Sequence, residues 1–378
     1  MRNGWRRGRV APRVSVVVPV YDVEDYVEEC LESILAQQGV DLEVVVVDDG
    51  SRDASAARVE RFVTPGGPVR LVRTANHGLG AARNEGVRHA TGDYLTFADS
   101  DDVVPPGSYD VLVRQLRRGG CDFVTGSIVR WETGTGGDQP DRLTQLAWMR
   151  RLHRSRAALV VDQQPEILGD VFAWNKLFRR DFWDGAGLSW PEGVRYEDQP
   201  TTTDAYLRAR RFGIVPDVVY HWRIRGDGSS ITQQRSSLQD LADRWTTKRM
   251  ALASVTAYGA PRVERTFRDL VLAGDLHRYF VEIPGCDDAW WDLLVAGVQE
   301  LWGERSLTHS GLTPAFRLVG WLVEQDRRED AAAVVTHVAG LGRPLPRVPT
   351  PDGPRIDVPV LDLRTVAPAA LLLRDDEH

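Results

Sequence analysis

Residues 14–22 read Val-Ser-Val-Val-Val-Pro-Val-Tyr-Asp, a mostly β-branched run that ends in an aromatic ring and a carboxylate. Its continuous apolar character predicts a strand buried on both faces, as in a parallel sheet. Helical spacing follows over 24–37, and a second apolar run, Leu42–Val47, ends in Asp-Asp-Gly-Ser at 48–51. This order of strand, helix and strand indicates an α/β fold.

The same alternation continues along the first third of the chain. Further strands are predicted at Val69–Val72, Asp93–Ala98 and Phe123–Trp131, with helices that begin near Gly78 and Ser108. Sheets of this kind carry helices on both faces and bind ligands outside the carboxyl ends of their strands. The aspartates that follow the predicted strands all fall at that edge.

Carboxylates are most concentrated after the strand at 93–98. The chain there continues Asp-Ser-Asp-Asp over 99–102, so three carboxylates lie within four positions. Their mutual repulsion needs compensation, and Mg²⁺ or Mn²⁺ would supply it because both ions prefer oxygen ligands. The alternative is a solvated turn that caps the helix starting near Pro105. The strand-end motifs upstream favour the metal.

Four motifs in order carry a resemblance to a known family. They are Val-Ser-Val-Val-Val-Pro-Val-Tyr-Asp (14–22), Val-Val-Asp-Asp-Gly-Ser (46–51), Gly-Ala-Ala-Arg-Asn-Glu-Gly (80–86) and Phe-Ala-Asp-Ser-Asp-Asp (97–102). Their spacing resembles that of family 2 nucleotide-sugar glycosyltransferases of the bacterial cell-envelope type. The likeness is strong over 14–103 and looser to about 232. It implies the GT-A fold, a Rossmann-like and mostly parallel sheet, and an inverting hexosyltransferase.

The resemblance also implies how a nucleotide would be held. Pro19 and Tyr21 would wall the nucleobase, and Asp49 would accept a ring N–H. Asn76 and Arg83 would face the nucleotide, with Arg83 near base or phosphate. Structural alternatives stay open: Asp49 in a plain turn, Arg83 as a surface charge and Tyr21 as packing.

The aspartates after the strands would divide the remaining work. Asp101 would bind the metal directly, and Asp99 would hold the ribose or a metal-bound water. Asp102 would cap the following helix, and Asp48 would orient its turn.

A second acidic cluster reads Arg-Tyr-Glu-Asp-Gln over 195–199. The resemblance places an acidic pair here, where the acceptor hydroxyl loses its proton to a general base. We assign Asp198 as the base and Glu197 as the residue that orients it or contacts the acceptor. Adjacent carboxylates disfavour each other's ionisation, which raises a pKa. The alternative is a negative first turn of the helix over 201–208, stabilised by the helix dipole.

Two further segments flank this cluster. By resemblance, Trp174 would stack on a sugar ring and Lys176 would approach an anionic acceptor or the diphosphate. A core helix with its lysine reaching the surface is the alternative. Arg223 and Arg225 alternate on one strand face before a glycine-rich turn at 226–230, and would fold over the diphosphate as a closing loop.

The chain divides into four predicted regions. These are a basic extension at 1–13, a GT-A domain at 14–235 with nucleotide-binding (14–131) and acceptor (132–235) halves, a helical domain at 236–342, and a proline-rich tail at 343–378 with an edge strand at 358–363. The loop at 132–141 is either a lid or a surface excursion. The helical C-terminal region is a candidate surface for homo-oligomers.

Composition excludes several classes of protein. The chain has 378 residues and a net charge of −7, which argues against a nucleic-acid partner. Five arginines between Arg2 and Arg13 are either a solvated terminus or a contact with an anionic membrane face. The three cysteines lack pairing or metal spacing, and no apolar run reaches the length of a membrane span. We therefore expect a cytoplasmic enzyme, at the inner face of the membrane if the arginines bind lipid.

The predicted activity is metal-dependent transfer of a sugar from a nucleoside diphosphate sugar, by resemblance a UDP-sugar, to a glycan or glycolipid acceptor of the cell wall, capsule or exopolysaccharide. The sequence argues against a dehydrogenase, because Arg83 occupies the third glycine position of the dinucleotide motif. A nucleotidyltransferase would need a glycine-rich basic loop after the first strand. A non-catalytic sugar-nucleotide-binding module remains the alternative.

Overall fold

A computed structural model describes residues 11–133, 141–154, 156–225, 237–303 and 305–377. Most of the basic extension, most of the loop at 132–141 and the glycine-rich turn at 226–230 lie outside these described residues. The chain forms two compact units, Met1–Ser230 and Ile231–His378, and the sequence places the corresponding boundary at 235.

The first unit is built on one nine-stranded sheet. Its strands are β1 Arg13–Val20, β2 Asp41–Asp48, β3 Val69–Arg73, β4 Tyr94–Phe97, β5 Phe123–Glu132, β6 Arg142–Thr144, β7 Ala157–Leu159, β8 Lys176–Arg179 and β9 Phe212–Ile224. They follow the order β3-β2-β1-β4-β8-β5-β9-β7, and β6 pairs with β5.

Strands β1 to β4 form the parallel half of the sheet. Val17 of β1 pairs with Val45 of β2 on one side and with Phe97 of β4 on the other. β8 is antiparallel to both β4 and β5, and β5 runs parallel to β9. The predicted α/β class with a mostly parallel sheet is confirmed. The sequence analysis did not predict the short strands β6, β7 and β8, nor that β8 separates β4 from β5.

Seven helices of the first unit connect and cover these strands in the described residues. They are α1 Val27–Leu35, α2 Ser55–Glu60, α3 Leu79–His89, α4 Ser108–Gly119, α5 Ala147–Leu152, α6 Arg180–Gly185 and α7 Asp198–Arg208. The valines of β1 and β2 are fully buried beneath them, as their continuous apolar run predicts. Gly86 of α3 permits the closest approach, since a Cβ there would lie 2.3 Å from a methyl of Val17.

The second unit is largely helical, as predicted. Its helices are α8 Leu238–Tyr258, α9 Pro261–Thr266, α10 His277–Phe280, α11 Asp288–Trp302, α12 Pro314–Glu324, α13 Arg328–Leu341 and α14 Pro368–Leu371, with short strands β10 Arg347–Val348 and β11 Arg355–Ile356. No helix in the described ranges is both long enough and apolar enough to span a membrane.

The prediction of an edge strand at 358–363 is wrong. The chain turns after Val358 and forms a 3₁₀ helix from Leu363 to Thr365. Pro359 has no N–H to donate to a neighbouring strand, which explains why the apolar run does not extend a sheet.

Candidate active site

Arg83, on α3, lies at the centre of the candidate site and is 1% exposed. Its Nη1 donates to Oε1 of Glu197 at 2.6 Å and to Oδ1 of Asp198 at 2.5 Å. Its Nη2 donates to Oδ1 of Asp99 at 2.8 Å. One guanidinium therefore joins the carboxylate that follows β4 to the acidic pair that begins α7. The alternative of a surface charge at Arg83 is excluded by its burial.

Close packing brings α3 against the segment that precedes α7. A Cβ at Gly80 would lie 2.0 Å from the carbonyl oxygen of Pro191, so only glycine fits there. The Asn84 side chain donates to the Trp190 carbonyl at 2.9 Å and accepts from the Trp190 N–H at 2.9 Å. These contacts fix the position of Arg83 relative to Glu197. The sequence analysis did not identify Asn84 as a site residue, because its partner, Trp190, lies far from the 80–86 motif in the sequence.

The acidic pair depends on an unusual backbone turn. Tyr196 adopts a left-handed conformation with φ of 65°, which is uncommon for a residue with a bulky side chain. Glu197 and Asp198 follow it, and α7 begins at Asp198, three residues before its predicted start. The Asp198 side chain is 20% exposed and that of Glu197 is 6% exposed. Asp198 is therefore the more accessible carboxylate of the pair.

Burial and charge perturb the titration of this cluster. Burial raises the pKa of Glu197 to about 8, although Arg83 opposes the shift and Asp198 adds to it. Burial also raises the pKa of Asp198, again against Arg83. Burial by itself would lower the pKa of Arg83, but Asp198, Asp99 and Glu197 raise it above its ordinary value. Burial thus disfavours the ionisation of both carboxylates of the pair, and Arg83 opposes that effect at each of them.

The carboxylates after β4 point in different directions. Asp101 Oδ2 accepts from Nε of Arg225 at 2.8 Å, and burial raises the pKa of Asp101 against the charge of Arg225. Asp102 is buried and accepts from the backbone N–H of Arg223 at 2.7 Å. The prediction that Asp102 caps a helix is wrong, because α4 begins at Ser108 after Gly107.

A divalent cation would have two protein ligands of the right chemistry. Within the described residues, no group of three or more His, Cys, Asp or Glu side chains could hold a metal ion. Asp99 and Asp101 are partly exposed, at 27% and 17%, and one oxygen of each already contacts an arginine. Their remaining oxygens are hard ligands, and Mg²⁺ or Mn²⁺ commonly completes its shell with water and substrate phosphates. The residues therefore fit such an ion only together with a bound substrate.

The loop after β3 lies over the end of β2. Asp49 is buried and accepts from the backbone N–H groups of His77 at 2.9 Å and Gly78 at 2.8 Å, and from the Thr74 hydroxyl at 3.1 Å. The Asp49 carboxylate thus holds this loop in place, and a contact between Asp49 and a nucleobase stays a prediction. Asp48 accepts from the N–H of Ser51 and orients its turn, in agreement with the sequence analysis.

The remaining nucleotide-side candidates differ in exposure. Pro19 lies buried within β1 and Tyr21, just after it, is 37% exposed. Asn76 is exposed on the loop that Asp49 holds. The side chains of Tyr21 and Asn76 are therefore accessible to a ligand, whereas Pro19 is a buried residue of β1.

The structure corrects the prediction for Arg223. Its side chain is buried, its Nε donates to the carbonyl oxygen of Asp101 at 2.7 Å, and its guanidinium lies 3.9 Å from the ring centre of Trp131. Its Nη2 also donates to Glu29. These contacts hold the backbone at Asp101 in place, and they leave Arg223 no freedom to close over a diphosphate. Arg225, by contrast, reaches the Asp101 carboxylate itself.

Trp174 and Lys176 also need correction. Trp174 is stacked against Phe172 and Tyr220, with ring centres 4.4 and 4.2 Å away, so its faces are covered by protein rather than sugar. Lys176 is completely buried in β8, and neither it nor Trp174 lies in a helix. Buried aromatic packing and an internal ion pair replace the predicted contacts with an acceptor.

The partner of Lys176 is Asp170, which was missed from the sequence. Nζ of Lys176 lies 3.0 Å from Asp170 Oδ1 and donates to the carbonyl oxygens of Asp170 and Phe172 at 2.8 and 2.7 Å. The next residue, Ala173, donates its N–H to Oδ2 of Asp198 at 3.3 Å. Lys176 thus holds the segment 170–173 that contacts the candidate base. No motif surrounds Asp170 that could have revealed it.

Part of the chain matches the model of a known protein family. Residues 15–185 match the family model described as Glycosyl transferase family 2, a span that includes Arg83, Asp99 and Asp101 but not the acidic pair. The chain is 30% identical over 264 residues to the succinoglycan biosynthesis protein ExoO of Rhizobium meliloti, covering 68% of this chain and 74% of ExoO. It is also 30% identical over 213 residues to the uncharacterized glycosyltransferase EpsJ of Bacillus subtilis, covering 56% of this chain and 61% of EpsJ. The chain thus spans less than two thirds of EpsJ.

A solved structure shares the fold over most of the chain. Residues 1–349 of TarS from S. aureus, in complex with UDP-GlcNAc, superpose with a TM-score of 0.69 and 20% sequence identity. The superposition covers 91% of this chain and 96% of that one. It supports the predicted GT-A architecture followed by a largely helical region.

Proposed function

Because this chain belongs to glycosyltransferase family 2, we propose that it moves a sugar from a nucleoside diphosphate sugar to an acceptor hydroxyl with inversion at the anomeric carbon. Its relatives include enzymes of cell-envelope glycan synthesis, and we propose a cell-wall, capsule or exopolysaccharide glycan as the acceptor. UDP is the proposed nucleotide, since TarS, which shares the fold, binds UDP-GlcNAc.

The observation that carries this proposal is the placement of Arg83. Its guanidinium contacts Asp99, which follows the strand expected to lie under the donor, and Glu197 and Asp198, expected to lie by the acceptor. A transfer reaction needs the donor and the acceptor base held in one geometry. A buried, planar guanidinium with fixed donors is suited to hold carboxylates in this way.

Asp198 accepts the proton of the acceptor hydroxyl in the proposed reaction. It is the more exposed member of the acidic pair, and Ala173 N–H and Arg83 fix its two oxygens. The deprotonated acceptor oxygen attacks the anomeric carbon from the side opposite the leaving diphosphate, which inverts the configuration. Glu197, which is buried and accepts from Nη1 of Arg83, orients Arg83 and the acceptor side.

Asp101 and Asp99 would hold Mg²⁺ or Mn²⁺ on the donor side. Such an ion, when bound, neutralises charge that develops on the leaving diphosphate. Arg225 lies on Asp101 and adds positive charge at the same place. Asp49, Asn76 and Tyr21 are proposed to contact the base and ribose.

The experiment is a panel of UDP-, GDP- and TDP-sugars assayed by nucleotide release, with Mn²⁺, with Mg²⁺ and with chelator. We expect metal-dependent release that increases when an envelope-type glycan acceptor is added. Tight binding of a sugar nucleotide with no release under any condition would instead identify a non-catalytic binding module. Metal-independent release would refute the metal assignment alone.

A further inference from the structure

A basic pocket lies outside the site described above. It has a volume of about 400 Å³ and is lined by Gln145, Arg150, Arg151, His153, Arg154 and Pro216. All but Gln145 and Pro216 come from α5 and the residues just after it. No carboxylate is among these lining residues.

The three arginines of this pocket lack counter-charges. In the part of the chain that the structure describes, Arg150, Arg151 and Arg154 form no ion pair and no side-chain hydrogen bond, and all three are exposed. Arg156, two residues on, is paired with Asp217 at 2.6 Å, and Arg130 is paired with Glu132. The chain as a whole carries a net charge of −7, so this concentration of positive charge is local. Guanidinium groups gathered around one pocket repel each other unless an anion lies between them.

An irregularity in the pairing of β5 with β9 lies at Pro216, one of the residues that line the pocket. The pairing of β5 with β9 shifts between Gly126 and Ser127, so that Gly126 pairs with Val215 and Ser127 with Val218. Pro216 lies in the resulting bulge, where its missing N–H costs no ladder bond. Gln145 donates to the Ser127 hydroxyl at 2.9 Å, which ties the pocket to β5.

The floor of the pocket connects to the segment that contacts the candidate base. His153 is buried, and its Nε2 lies 3.3 Å from Oδ2 of Asp170. Asp170 begins the segment 170–173 that Lys176 holds and that donates the Ala173 N–H to Asp198. The pocket is therefore built onto the acceptor side of the site.

We propose that the pocket lined by Arg150, Arg151 and Arg154 binds an anionic group, a phosphodiester or a carboxylate, carried by the acceptor glycan. The proposal deepens the proposed function and rests on it, because it names the class of acceptor. Arginine suits this task, since its planar fork binds both phosphate and carboxylate groups through paired hydrogen bonds.

The test measures binding of acceptor-like oligomers to the full chain by titration calorimetry. The probes are a glycerol phosphate oligomer, an oligogalacturonate, a neutral dextran oligomer and inorganic phosphate. We expect one of the two anionic oligomers to bind with an affinity that falls as salt rises, and dextran not to bind. In R150Q/R151Q/R154Q that affinity falls by about tenfold or more. Binding of inorganic phosphate alone, or of dextran as well as the anionic oligomers, would overturn the proposal.

The control is R70Q/R118Q/R343Q, which removes the same charge from exposed arginines elsewhere. We expect its affinity for the oligomer to stay within about twofold of wild type, and an equal loss would show that charge alone matters. Hydrolysis of the sugar nucleotide by water is measured in parallel and should be unchanged in R150Q/R151Q/R154Q. If the wild-type protein releases no nucleotide from any donor, the proposed function is refuted. The binding of the oligomers still decides, independently, whether the pocket is an anion site.

Discussion

Arg83 and Asp198 are 115 positions apart in the sequence, yet Nη1 of the arginine donates to Oδ1 of the aspartate at 2.5 Å. The other nitrogen of the same guanidinium contacts Asp99. The acidic residues after β4 and those at the start of α7 are thus parts of one buried charge cluster. Burial raises the pKa values of Glu197 and Asp198, Arg83 opposes the rise, and the neighbouring carboxylates add to it.

Asp198→Asn should lower the turnover number by about 100-fold or more, because an amide cannot accept the acceptor proton. The dissociation constant for the donor should change little, since Asp198 is proposed to act on the acceptor. Turnover is measured by nucleotide release and donor affinity by calorimetry. Asp184→Asn, which removes an exposed carboxylate paired with the partly buried Arg180, is the control and should behave as wild type. Turnover close to normal in Asp198→Asn would refute the assignment of the base.

Arg83→Met should lower the free energy of unfolding by about 3 kcal/mol, because it leaves buried carboxylates without a cation. The double variant R83M/D198N should regain part of this loss, because one of the carboxylates that Arg83 contacts is then neutral. Urea denaturation followed by circular dichroism gives both values. Arg58→Met, which breaks a partly exposed pair with Glu28, should cost less than about 1 kcal/mol. Equal losses in the two single variants would mean that the buried cluster adds nothing special.

The parallel half of the fold was predictable because one physical signal repeats. Each central strand is a continuous apolar run, and continuous burial on both faces is what a parallel sheet with helices on each side requires. The short β8 carries no such signal, because its four residues begin with Lys176 and end with Arg179. Its place between β4 and β5 depends on antiparallel pairing with strands distant in sequence.

The site was predictable in its parts but not in its connections. The positions of Asp99, Asp101 and Asp198 came from motifs that precede or follow regular elements. That Arg83 would contact both Asp99 and Asp198 depends on how α3 packs against residues 190–198, which no local pattern encodes. Lys176 was assigned to the acceptor because a buried lysine looks like an exposed one in sequence unless its partner is known. Asp170 is that partner, six residues earlier.

Glu197→Gln should change how stability depends on pH. Burial raises the pKa of Glu197 to about 8 in the folded chain, whereas a glutamate in the unfolded chain has a pKa of about 4.3. Between these values the unfolded chain binds fewer protons at this residue, so the wild type loses stability as pH rises from about 4.5 through 8. The glutamine variant lacks this loss, and its stability relative to wild type should therefore increase over that window.

The melting temperature measured at intervals from pH 5 to pH 9 checks this prediction. Glu60→Gln, at an exposed glutamate paired with Arg73, is the control and should follow the wild-type curve. A Glu197→Gln curve parallel to wild type throughout would show that Glu197 stays ionised in the folded chain.

Asp101 and Arg225 should have opposite effects on metal binding. Asp101→Ala removes a proposed ligand and should weaken Mn²⁺ binding by at least about tenfold. Arg225→Gln removes a guanidinium that occupies Oδ2 of Asp101, and should strengthen Mn²⁺ binding in the absence of nucleotide. Free Mn²⁺ is measured by electron paramagnetic resonance, which requires no turnover. Asp184→Ala serves as the control. An unchanged Mn²⁺ affinity in Asp101→Ala would place the ligand elsewhere.

Lys176→Met should affect both stability and catalysis, and the two effects can be separated. Lys176 and Asp170 are completely buried, and burial lowers the pKa of Lys176. Burial would raise the pKa of Asp170, but Lys176, His153 and Thr125 together lower it below its usual range. Removing the lysine leaves a buried carboxylate unpaired and should cost about 3–5 kcal/mol of unfolding free energy. It also removes the hydrogen bonds that Lys176 donates to the carbonyl oxygens of Asp170 and Phe172. The neighbouring N–H of Ala173 is then less well positioned to donate to Asp198. The turnover number should fall while the KM for the donor stays constant.

The double variant K176M/D170N should recover much of the stability, because the unpaired charge is gone, but not the turnover, because the carbonyl oxygens still lack their donor. Lys248→Met is the matched control: Lys248 is equally buried and is paired with Asp275 in the second unit. It should cost stability without lowering turnover. If Lys176→Met also kept full turnover after its loss of stability, the segment 170–173 would hold Asp198 without help from the buried ion pair, and Lys176 would serve the fold alone.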